Sequence, residues 1–391
     1  MIKTNILCLG NQWDPIKPLS TKHIVLRLAN GGKILWINPL PIQIPKLKGI
    51  FKDKGLQNKI INKVRVHMKI FHQENNVYIL SPFYLPVYGN TFIEKINYIL
   101  IRTQIWLAVK AILKNNYIVF ATSTYLLLDI LDIIAKNKII FQFADMISSY
   151  RHLPEPKRIE FLIKDKKIIE RSNIVLCSSK AIRNSLSKIS NSNKLAYFPH
   201  GVDINLFLQN GSHFKQIPEM EKIPKPVIGY FGSLTDANDK EAIMYCARKK
   251  PDWSFVLIGG PIKGDYSALF KIKNIYFMGK INHTDIPHYG KYFDVGLMNW
   301  IPHDWIKHCY PLKTLEYLAL GLPIVSTPID EVKNNFSEFV TFATSPLEYL
   351  TAIEDCIHSD NHEKRRMRIE RVMHETWDSR VDELRKWIQI L

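Results

Sequence analysis

Short apolar runs recur along this chain, and few of them alternate with polar residues. The N-terminal half carries seven, at residues 5–9, 33–38, 77–81, 117–121, 138–143, 173–178 and 194–199. Each is rich in Ile, Val, Leu or aromatic side chains, the pattern of strands covered on both faces. Stretches with helical spacing lie between them, at 21–30, 92–113, 124–135 and 156–171. This alternation predicts a parallel sheet joined by right-handed crossovers. The pattern lapses at 209–226, QNGSHFKQIPEMEKIPKP, which is polar and holds three prolines; it reads as a linker. Apolar runs then resume at 227–231, 254–258, 275–278, 294–298, 324–327 and 340–343. The expected architecture is α/β, with two doubly wound Rossmann-like domains whose parallel sheets face each other across a cleft. The boundaries fall at 1–208, 209–226 and 227–362, followed by a helical tail, 363–391. Trp377 and Trp387 would anchor that tail back toward the first domain. Ligands of such sheets bind at the carboxyl ends of the strands, which makes the cleft the expected site.

The segment from Trp305 to Pro328, WIKHCYPLKTLEYLALGLPIVSTP, stands out from this background. Pro311 stands where a first helical turn tolerates proline, and Gly321 where a helix ends in a left-handed residue. Leu312, Leu315, Leu318, Ala319 and Leu320 fall on the inward side. Lys313 then lies in the first turn, Glu316 one turn later, and 323–327 follows as a buried strand. A helix start with a cation can face phosphate, and a carboxylate behind it can accept from a ribose diol. The plainer reading is an amphipathic helix with solvated charges.

Composition narrows the class. A chain of 391 residues exceeds one ordinary core. With 46% hydrophobic residues it is globular. No apolar run reaches the roughly 18 residues needed to cross a bilayer. The opening MIKTNILCLG reads as a strand, not a signal peptide. Five cysteines, odd in number and far apart, argue for reduced thiols in a cytoplasm and against a disulfide framework or zinc site. The net charge of +17 is concentrated between Lys46 and Lys69, where seven lysines and Arg65 face only Asp53. Apolar residues are interleaved there, so the segment suits an anionic membrane surface at the inner face. Its aromatic residues are not spaced for base stacking, which speaks against nucleic acid.

Four further segments join 305–328. Gly229-Tyr230-Phe231-Gly232-Ser233-Leu234 and Phe255-Val256-Leu257-Ile258-Gly259-Gly260 are strands ending in glycine. Asn274 to Lys280 reads NIYFMGK, with Phe293-Asp294-Val295-Gly296-Leu297 after it, and Pro199-His200-Gly201-Val202-Asp203 closes the first domain. Neither GxGxxG nor GxxxxGK[ST] occurs. In this order and spacing the set resembles the glycosyltransferases of the GT-B fold, of the retaining family 4 type. Within them it is similar to transferases of teichuronic acid and exopolysaccharide biosynthesis.

The resemblance implies a nucleotide-sugar donor (UDP-, GDP- or dTDP-) bound by the second domain. The acceptor, a growing and lipid-linked cell-surface glycan, would be bound by the first. It also implies retention and no separate cofactor. No Asp-x-Asp stands at a strand end, so no metal is expected either. Carried over by position, Glu316 is the ribose-binding glutamate. Lys313, with the backbone at Thr314 and Leu315, is the diphosphate contact. Gly232 and Ser233 form the turn near the phosphates, and Gly279 and Lys280 bracket the base. Asp145 is the carboxylate beside the transferring sugar, with a helix N-cap as its plainer reading. The family's paired glutamate eight positions before Glu316 is here His308, which would face the sugar. Lys240 comes late for phosphate contact, which leaves Lys313 to carry that charge. Two other classes stay open: a sugar-nucleotide epimerase or hydrolase on the same fold, and a non-catalytic GT-B partner.

Overall fold

The computed structural model describes residues 3–14, 19–39, 71–85, 91–134, 137–150, 153–190, 193–208 and 215–390. The basic segment between Lys46 and Lys69 lies outside these, as do residues 209–214 of the predicted linker.

Two sheets organise the chain. The first has eight strands in the order β3-β4-β2-β1-β5-β6-β7-β8. These are β1 (Ile6–Leu9), β2 (Ile34–Ile37), β3 (Phe71–Glu74), β4 (Val77–Leu80), β5 (Ile118–Thr122), β6 (Ile139–Phe143), β7 (Ile174–Cys177) and β8 (Leu195–Tyr197). The second has six, β11-β10-β9-β12-β13-β14. They are β9 (Val227–Phe231), β10 (Ser254–Ile258), β11 (Ile275–Gly279), β12 (Val295–Met298), β13 (Ile324–Ser326) and β14 (Val340–Phe342). Every predicted apolar run is a strand, and among the described residues all strand pairings are parallel but one. β3 runs antiparallel to β4 through a turn at Asn75, whose φ is +52°. Its sequence, FHQE, lacks an apolar run because it lies on the sheet's rim. The first sheet is therefore mixed, not wholly parallel.

Helices α1 (Ser20–Ala29), α2 (Thr91–Ile112), α3 (Leu126–Asp129), α4 (Leu131–Ile134), α5 (Glu155–Arg171) and α6 (Lys180–Ser187) belong to the first domain. The stretch predicted as one helix at 124–135 is thus two short ones, interrupted at Ile130. Side chains from α2 through α6 pack together on one face of the sheet. The other face carries α1. Between the domains lie α7 (Ile204–Phe207) and α8 (Pro218–Glu221). The second domain holds α9 (Lys240–Lys249), α10 (Ile286–Gly290), α11 (Asp304–His308), α12 (Leu312–Ala319), α13 (Asp330–Phe336) and α14 (Pro346–Ser359). Among the described residues, no helix is long and apolar enough to cross a membrane. All five cysteines are free and buried.

The tail is two helices, α15 (His362–Val372) and α16 (Trp377–Ile390). α15 stays with the second domain, where Arg368 Nε donates to the Gly321 carbonyl at 2.9 Å. α16 crosses to the first, burying Trp377, Val381 and Leu384 against Ile24, Val25 and Leu28 of α1. Arg27 Nε donates to Asp378 Oδ1 at 3.0 Å beside that packing. The tail's return path runs beside the forward one: Val202 N–H donates to Glu375 O at 2.8 Å, and Val202 bridges Thr376.

Candidate active site

The carboxyl ends of the second sheet's strands meet the start of α12. Pro311 is the residue just before the helix, and Gly321, with φ +73°, closes it. Lys313 in the first turn is braced on two aromatic faces. Its Nζ sits 4.5 Å above the Tyr230 ring and 4.6 Å above the Trp300 ring, and donates to Tyr230 Oη at 3.2 Å. Tyr230 in turn donates to the Ser233 carbonyl at 2.9 Å. The turn after β9 therefore holds the lysine and is shaped by it. Gly232 takes φ +139°, and a Cβ there would lie 2.5 Å from Lys313 Nζ. Only glycine allows both the backbone conformation and the close approach. Gly232, Ser233 and Lys313 are thus brought together, as their sequence roles require.

Thr314 and Leu315 turn their side chains into the core. The Thr314 amide donates to Pro311 O at 3.1 Å, so that backbone donor is engaged within the helix. Glu316 is buried, and its Oε1 accepts from His283 Nε2 at 2.7 Å. Burial works against a charged His283, but the Glu316 hydrogen bond and charge, with Asp203 adding to them, hold the imidazole above its ordinary pKa. His283 lies four residues beyond Gly279, which together with Lys280 forms an exposed ledge after β11. Lys240, by contrast, is tied to Asp236 Oδ1 and to Asp265 O, both at 2.8 Å. That leaves Lys313 as the lysine held at this turn.

Asp145 follows β6 on the first domain and faces the second. Its Oδ1 accepts from Trp305 Nε1 of α11 at 3.0 Å. Burial raises the carboxyl's pKa, and the Trp305 bond lowers it in part. Trp305 packs edge-on against Trp300 at 6.2 Å, the same ring that braces Lys313. An aromatic path therefore runs from the lysine to the carboxylate across the domain boundary. Beside Asp145 lies a small pocket that Ser123, Gln142 and Asp165 also line. The Gln142 amide is fully buried there with no hydrogen-bond partner among the described residues. Burial pushes the Asp165 carboxyl up to about 7, with the Tyr125 hydroxyl donating to it at 3.0 Å.

His308 makes contacts with the first domain. Its Nε2 lies 3.0 Å from Ser185 Oγ on α6, and its carbonyl accepts from Ser179 Oγ at 2.7 Å. Glu331 of α13 reaches the same helix, accepting from the Lys180 amide and from the Tyr197 hydroxyl. These contacts fasten α11 and α13 to the first domain. Sequence reasoning missed Tyr230, Trp300, Trp305 and His283. Their one sequence signal is the recurrence of aromatic rings near the carboxyl ends of the second sheet's strands.

Comparison with known proteins bears on the fold that carries these residues. Residues 225–359 match the family model described as glycosyl transferases group 1. The chain is similar to the putative teichuronic acid biosynthesis glycosyltransferase TuaH of Bacillus subtilis (strain 168), 26% identical over 222 residues. That match covers 54% of this chain and 55% of TuaH, about half the length of the relative. Among solved structures, HepE of Anabaena in complex with UDP and glucose superposes with a TM-score of 0.68 at 13% identity, covering 99% of this chain and 100% of that one. The sucrose-phosphate synthase of Thermosynechococcus elongatus gives 0.67 at 13% identity, with 99% of each chain covered. At such identities these structures speak for the fold. Residues 225–359 thus match a group 1 glycosyl transferase domain, carried on a chain with the two-domain GT-B fold.

Proposed function

We propose that the chain transfers a sugar from a nucleoside-diphosphate sugar to an acceptor hydroxyl, retaining the anomeric configuration and using no metal. The carrying observation is Lys313, braced against Gly232 one helical turn before Glu316. In this reading Glu316 binds the ribose, and the ledge at Gly279 and Lys280 flanks the base. Lys313 and the start of α12 meet the diphosphate. As the glycosidic bond breaks, negative charge grows on the departing diphosphate while the sugar gains oxocarbenium character. A fixed cation aimed at that charge lowers the barrier without reorganising. Asp145 would sit on the sugar's other side, where the acceptor arrives from the first domain.

UDP is the nucleotide favoured here, since the similar fold of HepE is seen with UDP and with UDP-glucose. The likeness to TuaH supports a cell-surface polysaccharide as acceptor. The lysine-rich stretch from Lys46 to Lys69 supports a place at an anionic membrane surface inside the cell. A second reading, a non-catalytic GT-B protein, draws on His308, which occupies the position of the family's paired glutamate and is bound to Ser185.

The donor is found by thermal shift with UDP-, GDP- and dTDP-sugars, because binding the folded state raises its melting temperature. Lys313→Ala should then lower kcat/KM for that donor by roughly ten- to a hundredfold, the worth of one charge-assisted phosphate contact. Unchanged turnover in the variant would remove the lysine from this role. Absence of both binding and slow donor hydrolysis in the unmodified chain would favour the non-catalytic reading.

A further inference from the structure

Helix α2 is apolar on two opposite sides. Ile101, Ile105, Val109 and Ile112 face the sheet and are buried. On the far side Phe92, Ile99 and Trp106 recur every seven residues, which puts them on one line along the helix. They are 69%, 62% and 46% exposed, and Leu107 beside them is 54% exposed. The line spans about 21 Å at the helical rise. An amphipathic helix needs only its inner stripe to hold a fold. The outer one is surplus to the first domain's core.

Charge indicates what that stripe meets. Lys95 and Arg102 flank it on one side, and Lys110 continues it beyond Trp106. The surface groove next to Trp106 is lined by Arg102, Lys110 and Thr103 from α2 and by Asp132 of α4. Helix α5 covers the same face of the sheet, and its outer side adds Ile159 and Ile163, 50% and 53% exposed. Arg102 is paired with Asp132, so the charge facing outward is that of Lys95 and Lys110; aromatic and aliphatic side chains rimmed by lysine suit the headgroup boundary of an anionic bilayer. The chain's net charge of +17 favours the same surface.

We infer that the outer face of α2, centred on Ile99 and Trp106 with Lys95 and Lys110, docks the first domain on an anionic lipid bilayer. The helix lies along the surface and does not span it. This deepens the anionic membrane surface of the proposed function, there argued from Lys46 to Lys69, but not its donor chemistry, and vesicle binding is measured without any donor. The two therefore fail separately.

The test is co-sedimentation of the full chain with vesicles of phosphatidylcholine, alone or with about 30 mol % phosphatidylglycerol. The chain should pellet with the anionic vesicles and much less with the neutral ones. Ile99→Ser with Trp106→Ser should lower the bound fraction by at least about tenfold. Lys95→Glu with Lys110→Glu should abolish the preference for phosphatidylglycerol. Both variants should keep the melting temperature and the nucleotide-induced shift of the unmodified chain. No binding to either vesicle, or binding that survives the Ile99 and Trp106 changes, overturns the proposal. So does self-association lost in that variant without vesicle binding, which would assign the face to a second copy of the chain.

Discussion

Glu316 has two carboxylate oxygens, and His283 holds one of them at 2.7 Å. In the proposed reading the other meets the ribose diol, and His283 sets the direction in which Glu316 can do so. Losing that one orienting bond, as in His283→Ala, should raise the donor KM roughly fivefold with little change in kcat. His283→Gln, which keeps a donor, should restore most of it. The pair also has a pH signature. The folded imidazole titrates above its ordinary value because of Glu316, so the folded chain binds that proton more tightly than the unfolded one. The resulting stabilisation is complete below the unfolded value of about 6.5 and is lost as pH rises through the raised folded value. Melting temperatures of the unmodified chain and His283→Gln should therefore converge as pH increases. A gap that stays constant with pH would show that His283 is not charged by Glu316.

At the scale of elements, α12 is seated on the second sheet by Tyr317. Its ring lies over Gly296 of β12, where a Cβ would come within 2.7 Å of the ring carbons. Its hydroxyl donates to Gly229 O and Leu297 O, both at 3.2 Å. Gly296→Ala would lift the helix that carries Lys313 and Glu316. Overpacking of this kind costs about 1–3 kcal/mol, so urea unfolding should show that loss together with a smaller nucleotide-induced thermal shift. A loss of stability with the shift intact would separate packing from the site. This helix was legible beforehand because Pro311 and Gly321 punctuate it and its leucines share one side. The buried strands were legible for a similar reason, since runs such as ILCL and ILWI admit no exposed face. β3 escaped notice because a rim strand tolerates His, Gln and Glu. The Trp305–Asp145 bond joins residues 160 apart, and no local pattern encodes such a meeting. The outer stripe of α2 was hidden differently: periodicity shows two apolar sides but not which one the sheet takes.

At the scale of the whole molecule, the chain passes between its halves twice, side by side. Gly201 marks the point of contact: a Cβ there would lie 2.6 Å from Trp377 N and 2.7 Å from Thr376 C, both backbone atoms. Gly201→Ala should therefore push the two passes apart. On the proposed reading, nucleotide binding by the second domain should be unchanged, while transfer to acceptor falls several-fold. Equal loss of both would mean that the substitution simply unfolds the chain. Two parallel tethers meeting at one spot behave like the pin of a pair of scissors. A swing about the line through Gly201 and Thr376 would also have to loosen the contacts that Trp305 and His308 make with the first domain. Displacement then grows with distance from that pin, so spin labels at the far rims of the sheets would register a swing that labels beside Val202 never see.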